Sequence, residues 1–179
     1  MEKSNIALIG FRATGKSSIG ERLAQVLQRQ FVDMDSELTK AFGQSIHNWV
    51  RGHGWESFRY AESELLKELA GCRQLVIATG GGVIGSEGNR TLLKKYFYVI
   101  WLKATPETIR SRLLDDRRTT HVNRPPLTDL PLEDEIDHLL RERLPLYEES
   151  ADVSFATDNA SVEEVTEQIV EGMGQCKDG

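Results

Sequence analysis

The sequence predicts an α/β fold: a five-stranded parallel sheet flanked by helices, with a helical insertion and a lid loop. Three observations lead there. Short apolar runs alternate with longer stretches of helical periodicity, the pattern of strands joined by helical crossovers. A glycine-rich turn carrying a lysine follows the first run. Further acids and glycines fall just after the second and third runs, where ligands collect beyond the carboxyl ends of parallel strands.

The apolar runs at 6–9, 31–34, 75–78, 97–102 and 153–156 are too short for comfortable helices and read as the five strands. Between and after them, 17–28, 57–69, 106–114, 132–144 and 162–173 carry apolar residues at helical spacing. Two segments fit no simple crossover. Residues 36–58 are punctuated by Gly43, Gly52 and Gly54 and hold Trp49 and Trp55, which predicts a small helical insertion able to fold over a substrate. Residues 115–131, DDRRTTHVNRPPLTDLP, are polar, basic and broken by prolines, which predicts a lid loop. One domain spanning 1–179 is the expected organisation.

Composition narrows the partners. The formal net charge of −6 leaves no broad basic face for nucleic acid or an anionic membrane surface. Two cysteines, Cys72 and Cys176, make neither a disulfide framework nor a metal site of the usual spacing, so a reducing cytoplasm is the expected compartment. The opening MEKSNIALIG lacks the apolar core of an export signal, and no run approaches the roughly 20 apolar residues needed to span a bilayer.

The chemistry begins at GFRATGKSS, residues 10 to 18, which matches the phosphate-binding pattern G-x-x-x-x-G-K-[ST]. Gly10 and Gly15 let the backbone curl so that the N–H groups of Gly10 to Ser18, Ala13 and Thr14 among them, line one anion-binding hollow. Lys16 adds a positive charge for a terminal phosphate, and Ser17 offers a hydroxyl to Mg²⁺. The following helix would aim its positive end at the phosphates. In FVDMD, Asp33 and Asp35 are two apart in an expected strand and would leave the same face. Phosphate-loop enzymes hold Mg²⁺ with an Asp ending a neighbouring strand. LVIATGGG has none, so Asp33 is the expected substitute. Arg59 and Glu62 are three apart and neighbours on a helix. Gly80, Gly81 and Gly82 permit close backbone approach.

The order and spacing of GFRATGKSS, FVDMD, GQSI followed by GWESFRYAE, ATGGGVI, NRPPL and RERLPLYEESAD resemble the shikimate kinases, small kinases related in fold to nucleoside monophosphate kinases. The resemblance implies transfer of the γ-phosphoryl group of ATP to the 3-hydroxyl of shikimate. It assigns Asp33 to Mg²⁺, and Asp35 to the shikimate hydroxyls and to the proton of the attacking one. It assigns Arg59, held by Glu62, and Arg143 to the shikimate carboxylate, Gly80 to Gly82 to substrate contact through their N–H groups, and Val50 and Phe58 to the wall beside the ring. Arg124 matches the lid arginine that reaches the ATP phosphates, and Arg118, in preference to Arg117, the one against adenine. ATP and shikimate are then the partners and a monomer the expected form.

Four positions depart from the family pattern: Arg12, where many relatives are uncharged, Val50, smaller than the usual aromatic, Trp55 in place of an acid, and Pro126 in place of Leu. Arg12 stands beside the expected path of the transferred phosphate. A kinase of another small hydroxy acid such as gluconate, and a nucleotide switch, are the competing readings. The switch predicts an N-K-x-D motif, which the sequence lacks.

Overall fold

The computed structural model describes residues 3–119 and 132–175. Five strands, β1 (Asn5–Ile9), β2 (Gln30–Asp33), β3 (Leu75–Ala78), β4 (Phe97–Lys103) and β5 (Val153–Ala156), form one parallel sheet in the order β2-β3-β1-β4-β5. The helices are α1 (Lys16–Leu27), α2 (Met34–Phe42), α3 (Ile46–Ala70), α4 (Glu87–Tyr96), α5 (Pro106–Thr119), α6 (Leu132–Ser150) and α7 (Val162–Gln175). None among the described residues is long and apolar enough to cross a membrane. The chain steps outward from β1 to β2, returns through β3, then crosses to the far side of β1 as β4. The turn after β1 therefore opens at the switch point of the sheet, the usual ligand crevice of such folds.

Alternation along each strand divides the core. Ile6 and Leu8 of β1, Val76 of β3 and Ile100 and Leu102 of β4 pack against α1 and α7 through Ile19, Leu23, Val165 and Ile169. Their sequence neighbours, Ala7, Ile9, Leu75, Ile77, Val99 and Trp101, face Leu66 of α3, Leu93 of α4 and Tyr147 of α6. Both faces of a parallel sheet must be covered, which is why these strands read as unbroken apolar runs. Trp101 stacks on Tyr147 with centroids 5.7 Å apart.

Three helices differ from expectation. The stretch 57–69 is the second part of α3, which starts at Ile46 and bends at Gly54 (φ 80°, ψ 166°), a left-handed position that costs glycine little. Helix α6 continues past the expected end at 144 to Ser150 although Pro145 lies inside it. A proline removes one helical hydrogen bond, and the tertiary anchoring of Tyr147 offsets that loss. Helix α4, EGNRTLLKKY, has too few apolar residues to show a stripe and forms from its Ser86 cap and the buried Leu93. The expected insertion at 36–58 coincides with most of α2 and the part of α3 around the bend, and 115–119 of the expected lid belong to α5.

Asn5 ties β1 to the entry of β3. Its buried side chain donates to the Cys72 carbonyl at 2.8 Å and accepts from the Leu75 N–H at 3.1 Å. Asn5→Ala leaves the buried Leu75 N–H unpaired and removes the part-buried bond to Cys72, a loss of about 1–3 kcal/mol. Urea unfolding of the two proteins measures it, and a difference under about 1 kcal/mol would show that the pair is not needed.

Candidate active site

The loop between β1 and α1 is shaped by conformations few residues tolerate. Gly10 has φ 146°, and a Cβ there would stand 2.5 Å from the Leu102 carbonyl oxygen of β4. Gly15, at φ 86°, is the N-cap of α1 and supplies no side-chain acceptor, so the first N–H groups of that helix face outward for an incoming anion. Ala13 also adopts a positive φ, 62°. The loop is held from three sides. Phe11 is buried among Ile109 of α5 and Ile136 and Leu139 of α6. The Phe11 carbonyl accepts from Thr14 Oγ1 at 2.8 Å and from Lys16 Nζ at 2.7 Å. Arg112 of α5 donates to the Ala13 carbonyl at 3.1 Å, and to the Thr157 hydroxyl and carbonyl at 3.0 and 2.5 Å, fastening the loop to the end of β5.

The two acids of FVDMD do not share a strand face. Strand β2 ends at Asp33, and α2 begins one residue later with the buried Met34. Asp33 caps α2, with Oδ1 accepting from the Ser36 N–H at 3.0 Å and Oδ2 accepting from the Ser17 hydroxyl at 2.5 Å. Asp35 lies in the first turn of α2 and lines the neighbouring pocket instead. The cap on Asp33 starts the helix at once, so one residue between the acids turns them toward different places.

That pocket, about 450 Å³ and open to solvent, is lined by Arg12, Asp35, Ile46, Trp55, Phe58, Arg59, Glu62, Gly80, Gly81, Gly82 and Arg143. Glu62, 1% exposed, accepts from Arg59 at 2.6 Å. Burial pushes its carboxyl above the ordinary glutamate value, an effect that the facing charges of Arg59 and Arg143 only partly oppose. Its Oε1 has no hydrogen-bond partner and presses on Gly80, while the Arg59 guanidinium presses on Gly82, so a side chain at either glycine would collide with the pair. Gly81 packs against the phosphate loop at Gly10 and Arg12, and its carbonyl accepts from Tyr147 at 2.6 Å and from Arg143 at 3.2 Å. Burial, with Arg59 and Arg12 nearby, lowers the Arg143 pKa. Burial likewise holds the Tyr147 hydroxyl neutral by raising its pKa. Arg143 faces Glu62 as well, but among the described residues it forms no salt bridge with a carboxylate, unlike Arg59.

Most of the expected residues are thereby brought together. Val50 is not on the pocket lining. It packs in a small core with Leu38, Ile46 and Phe58, and Ile46, one turn earlier, takes the place at the wall beside Trp55. The Trp55 ring lies 5.3 Å from the Arg59 guanidinium, which gives this departure from the family pattern a contact of its own. Arg124 and Pro126 lie outside the described residues. Arg117 and Arg118 fall near the end of α5. Sequence reasoning missed Arg112, Tyr147 and Glu135, the last of which pairs with Arg12 across 123 residues. Tyr147 could have been found in RLPLYEES as an aromatic in an otherwise charged stretch. Nothing local marks the other two.

A phosphate loop at the switch point, facing an arginine-lined pocket across a glycine turn, defines a kinase of small anionic acceptors. The pattern of the family described as shikimate kinase matches residues 12–174, and the chain belongs to that family. It is 39% identical to the shikimate kinase of Thermodesulfovibrio yellowstonii, over 98% of each chain, and 38% identical to that of Enterococcus faecalis, over 93% of this chain and 96% of the relative. The shikimate kinase of Acinetobacter baumannii, solved in complex with shikimate, superposes with a TM-score of 0.90 at 32% identity, over 98% of this chain and 96% of the other.

The raised pKa of Glu62 has a kinetic consequence. As pH falls through it the carboxylate is neutralised and Arg59 loses the charge that holds it. The acceptor's kcat/KM should therefore fall about tenfold per pH unit on the acid side, with an inflection above the ordinary glutamate value. Glu62→Gln should remove that inflection. A profile of kcat/KM against pH for both proteins checks it, and an inflection surviving in the variant would assign it to another group.

Proposed function

We propose that the chain transfers the γ-phosphoryl group of ATP to the 3-hydroxyl of shikimate, giving shikimate 3-phosphate and ADP. The observation that carries this reading is the half-buried Arg143, a guanidinium in no salt bridge with a carboxylate among the described residues, beside Arg59 and one glycine turn from the phosphate loop. A carboxylate on the acceptor supplies the missing charge, and two guanidinium groups fix its plane.

The acceptor enters with its carboxylate on Arg59 and Arg143 and its ring against Phe58, Ile46 and Trp55. Gly80 to Gly82 bring backbone close to it, and Asp35 accepts from its hydroxyls and takes the proton of the attacking one. Lys16 leaves the Phe11 carbonyl for the β- and γ-phosphates, and the loop N–H groups hold the phosphate oxygens. By resemblance, Arg124 steadies the charge of the transferred group and Arg118 meets adenine. The segments 36–58 and 115–131 serve as acceptor-binding insertion and lid of the single domain.

The residues present fit Mg²⁺. Ser17 Oγ and Asp33 Oδ2 converge at the mouth of the phosphate loop, and both are hard oxygen donors. The described residues contain no group of three or more His, Cys, Asp or Glu side chains able to hold a metal, so phosphate and water would have to complete the shell. Held there by Ser17 and Asp33, the ion would neutralise phosphate charge. Dependence on ATP supports a cytoplasmic location, and a site built within one chain supports a monomer.

Coupled ADP release with shikimate, gluconate and nucleoside monophosphates offered in parallel tests the assignment. Shikimate alone should sustain turnover, and a preference for another acceptor would overturn it. Arg59→Ala and Arg143→Ala should each weaken shikimate binding about ten- to a hundredfold while ATP affinity stays nearly unchanged. Calorimetry with each ligand decides that, and lost ATP binding with shikimate binding preserved would exchange the two sites. Asp33→Asn should raise the Mg²⁺ needed for activity and recover in excess Mg²⁺, whereas Asp35→Asn should lower kcat beyond rescue by metal. Initial rates across a Mg²⁺ titration separate the two, and rescue of the Asp35 variant alone would reverse the roles.

A further inference from the structure

Arg12 and Glu135 form an ion pair inside the protein that the proposed reaction does not yet explain. Glu135, near the start of α6, is 2% exposed. Arg12 belongs to the phosphate loop and also lines the acceptor pocket. One terminal nitrogen of its guanidinium donates to Glu135, while the buried Nε has no hydrogen-bond partner. Removing two charges from water costs free energy that their attraction often fails to recover, so such a pair is poorly explained by stability alone.

The surroundings explain it better. Arg12, Arg59 and Arg143 converge on one pocket, with Arg12 and Arg143 each under 6 Å from the Phe11 ring centre, at 5.7 and 5.8 Å. Two anionic groups must be sorted among these cations, the carboxylate of the acceptor and the phosphoryl group in transit. Arg59 and Arg143 are placed for the carboxylate, and an unrestrained Arg12 could leave the path of the phosphoryl group. Glu135 fixes Arg12 from the α6 side by one terminal nitrogen. The backbone of Arg12, packed against Gly81, places its root where the loop and the acceptor turn meet.

We propose that Glu135 is a positioning residue that holds the Arg12 guanidinium at this seam, where it meets the transferred phosphoryl group. This rests on the kinase reading above. Glu135 is not on the pocket lining and acts on the transfer through Arg12. Its effect therefore belongs to the transition state: binding of ATP and shikimate is unchanged, and the rate of transfer falls when the arginine is released.

The test uses the full chain, with kcat and both KM values for wild type, Glu135→Gln, Arg12→Met and the Arg12→Met/Glu135→Gln double variant, and urea unfolding of each. Glu135→Gln should lower kcat about tenfold or more with both KM values within about twofold, and the double variant should be no slower than Arg12→Met alone. Multiplying losses in the double variant, a raised KM at constant kcat, kcat and the shikimate KM falling together, or wild-type kinetics would each overturn the proposal. If Glu135→Gln does not fold, Glu135→Asp takes its place, since its shorter side chain keeps the charge but displaces the guanidinium. It should lower kcat at constant KM, and an unchanged kcat overturns the proposal. Failure of the kinase reading would look different, because wild type itself would then not phosphorylate shikimate.

Discussion

The constraint on which the rest of the molecule depends is the curl of backbone between Gly10 and Gly15. To gather N–H groups into one hollow, the chain gives up ordinary backbone angles at Gly10, Ala13 and Gly15 and leaves the start of α1 without a side-chain cap. Such a segment persists only where its surroundings over-determine it. The sheet supplies the Leu102 carbonyl against which Gly10 is pressed, α5 supplies Arg112, and the interface of α5 and α6 takes the Phe11 ring. The parallel order of strands matters because it brings β1, β4 and β5 to the same edge of the crevice, so one arginine can grip both the loop and the end of β5.

The acceptor pocket obeys a second rule, that charges taken out of water must be matched. Arg59 has Glu62, Arg12 has Glu135, and Arg143 has a carbonyl and a tyrosine hydroxyl close by. The pairing with Glu62 explains the three glycines as well. Carboxylate and guanidinium occupy the volume that side chains at 80 and 82 would need, while residue 81 must pass close to the phosphate loop. What reads in sequence as a flexible turn is a turn made bare by its neighbours.

Much of this was legible in the sequence. Strands β3 and β5 fall where their apolar runs do, and β1, β2 and β4 differ by a residue at one or both ends, because a buried parallel strand is written in consecutive residues. GFRATGKSS announced its loop because its geometry is local. The strand reading of FVDMD failed at its last two residues, since apolar Met34 continues a strand pattern equally well while the Asp33 cap that starts α2 is a matter of geometry. Pro145 and Gly54 misled for a related reason: packing of Tyr147 carries α6 through one, and the other bends α3 without ending it. Pairs such as Arg112 with Ala13, Tyr147 with Gly81 and Arg12 with Glu135 join residues 66 or more apart in sequence, and no periodicity records them.

The aromatic packing beneath the acceptor pocket has a consequence of its own. Phe42, Trp49 and His53 stack in sequence, with centroids 3.9 and 4.1 Å apart, over a miniature core of Leu38, Ile46, Val50 and Phe58. Leu65 packs against both this core and the one beneath the sheet. Helix α2 and the first part of α3 thus share a small core that Phe58 and Leu65, beyond the bend at Gly54, complete. In thermodynamic terms a core this small contributes less to holding its helices in place than the larger cores against the sheet. A ligand seated against Ile46, Trp55 and Phe58 adds to that small interior, so its binding free energy and the local folding free energy of these helices are coupled quantities.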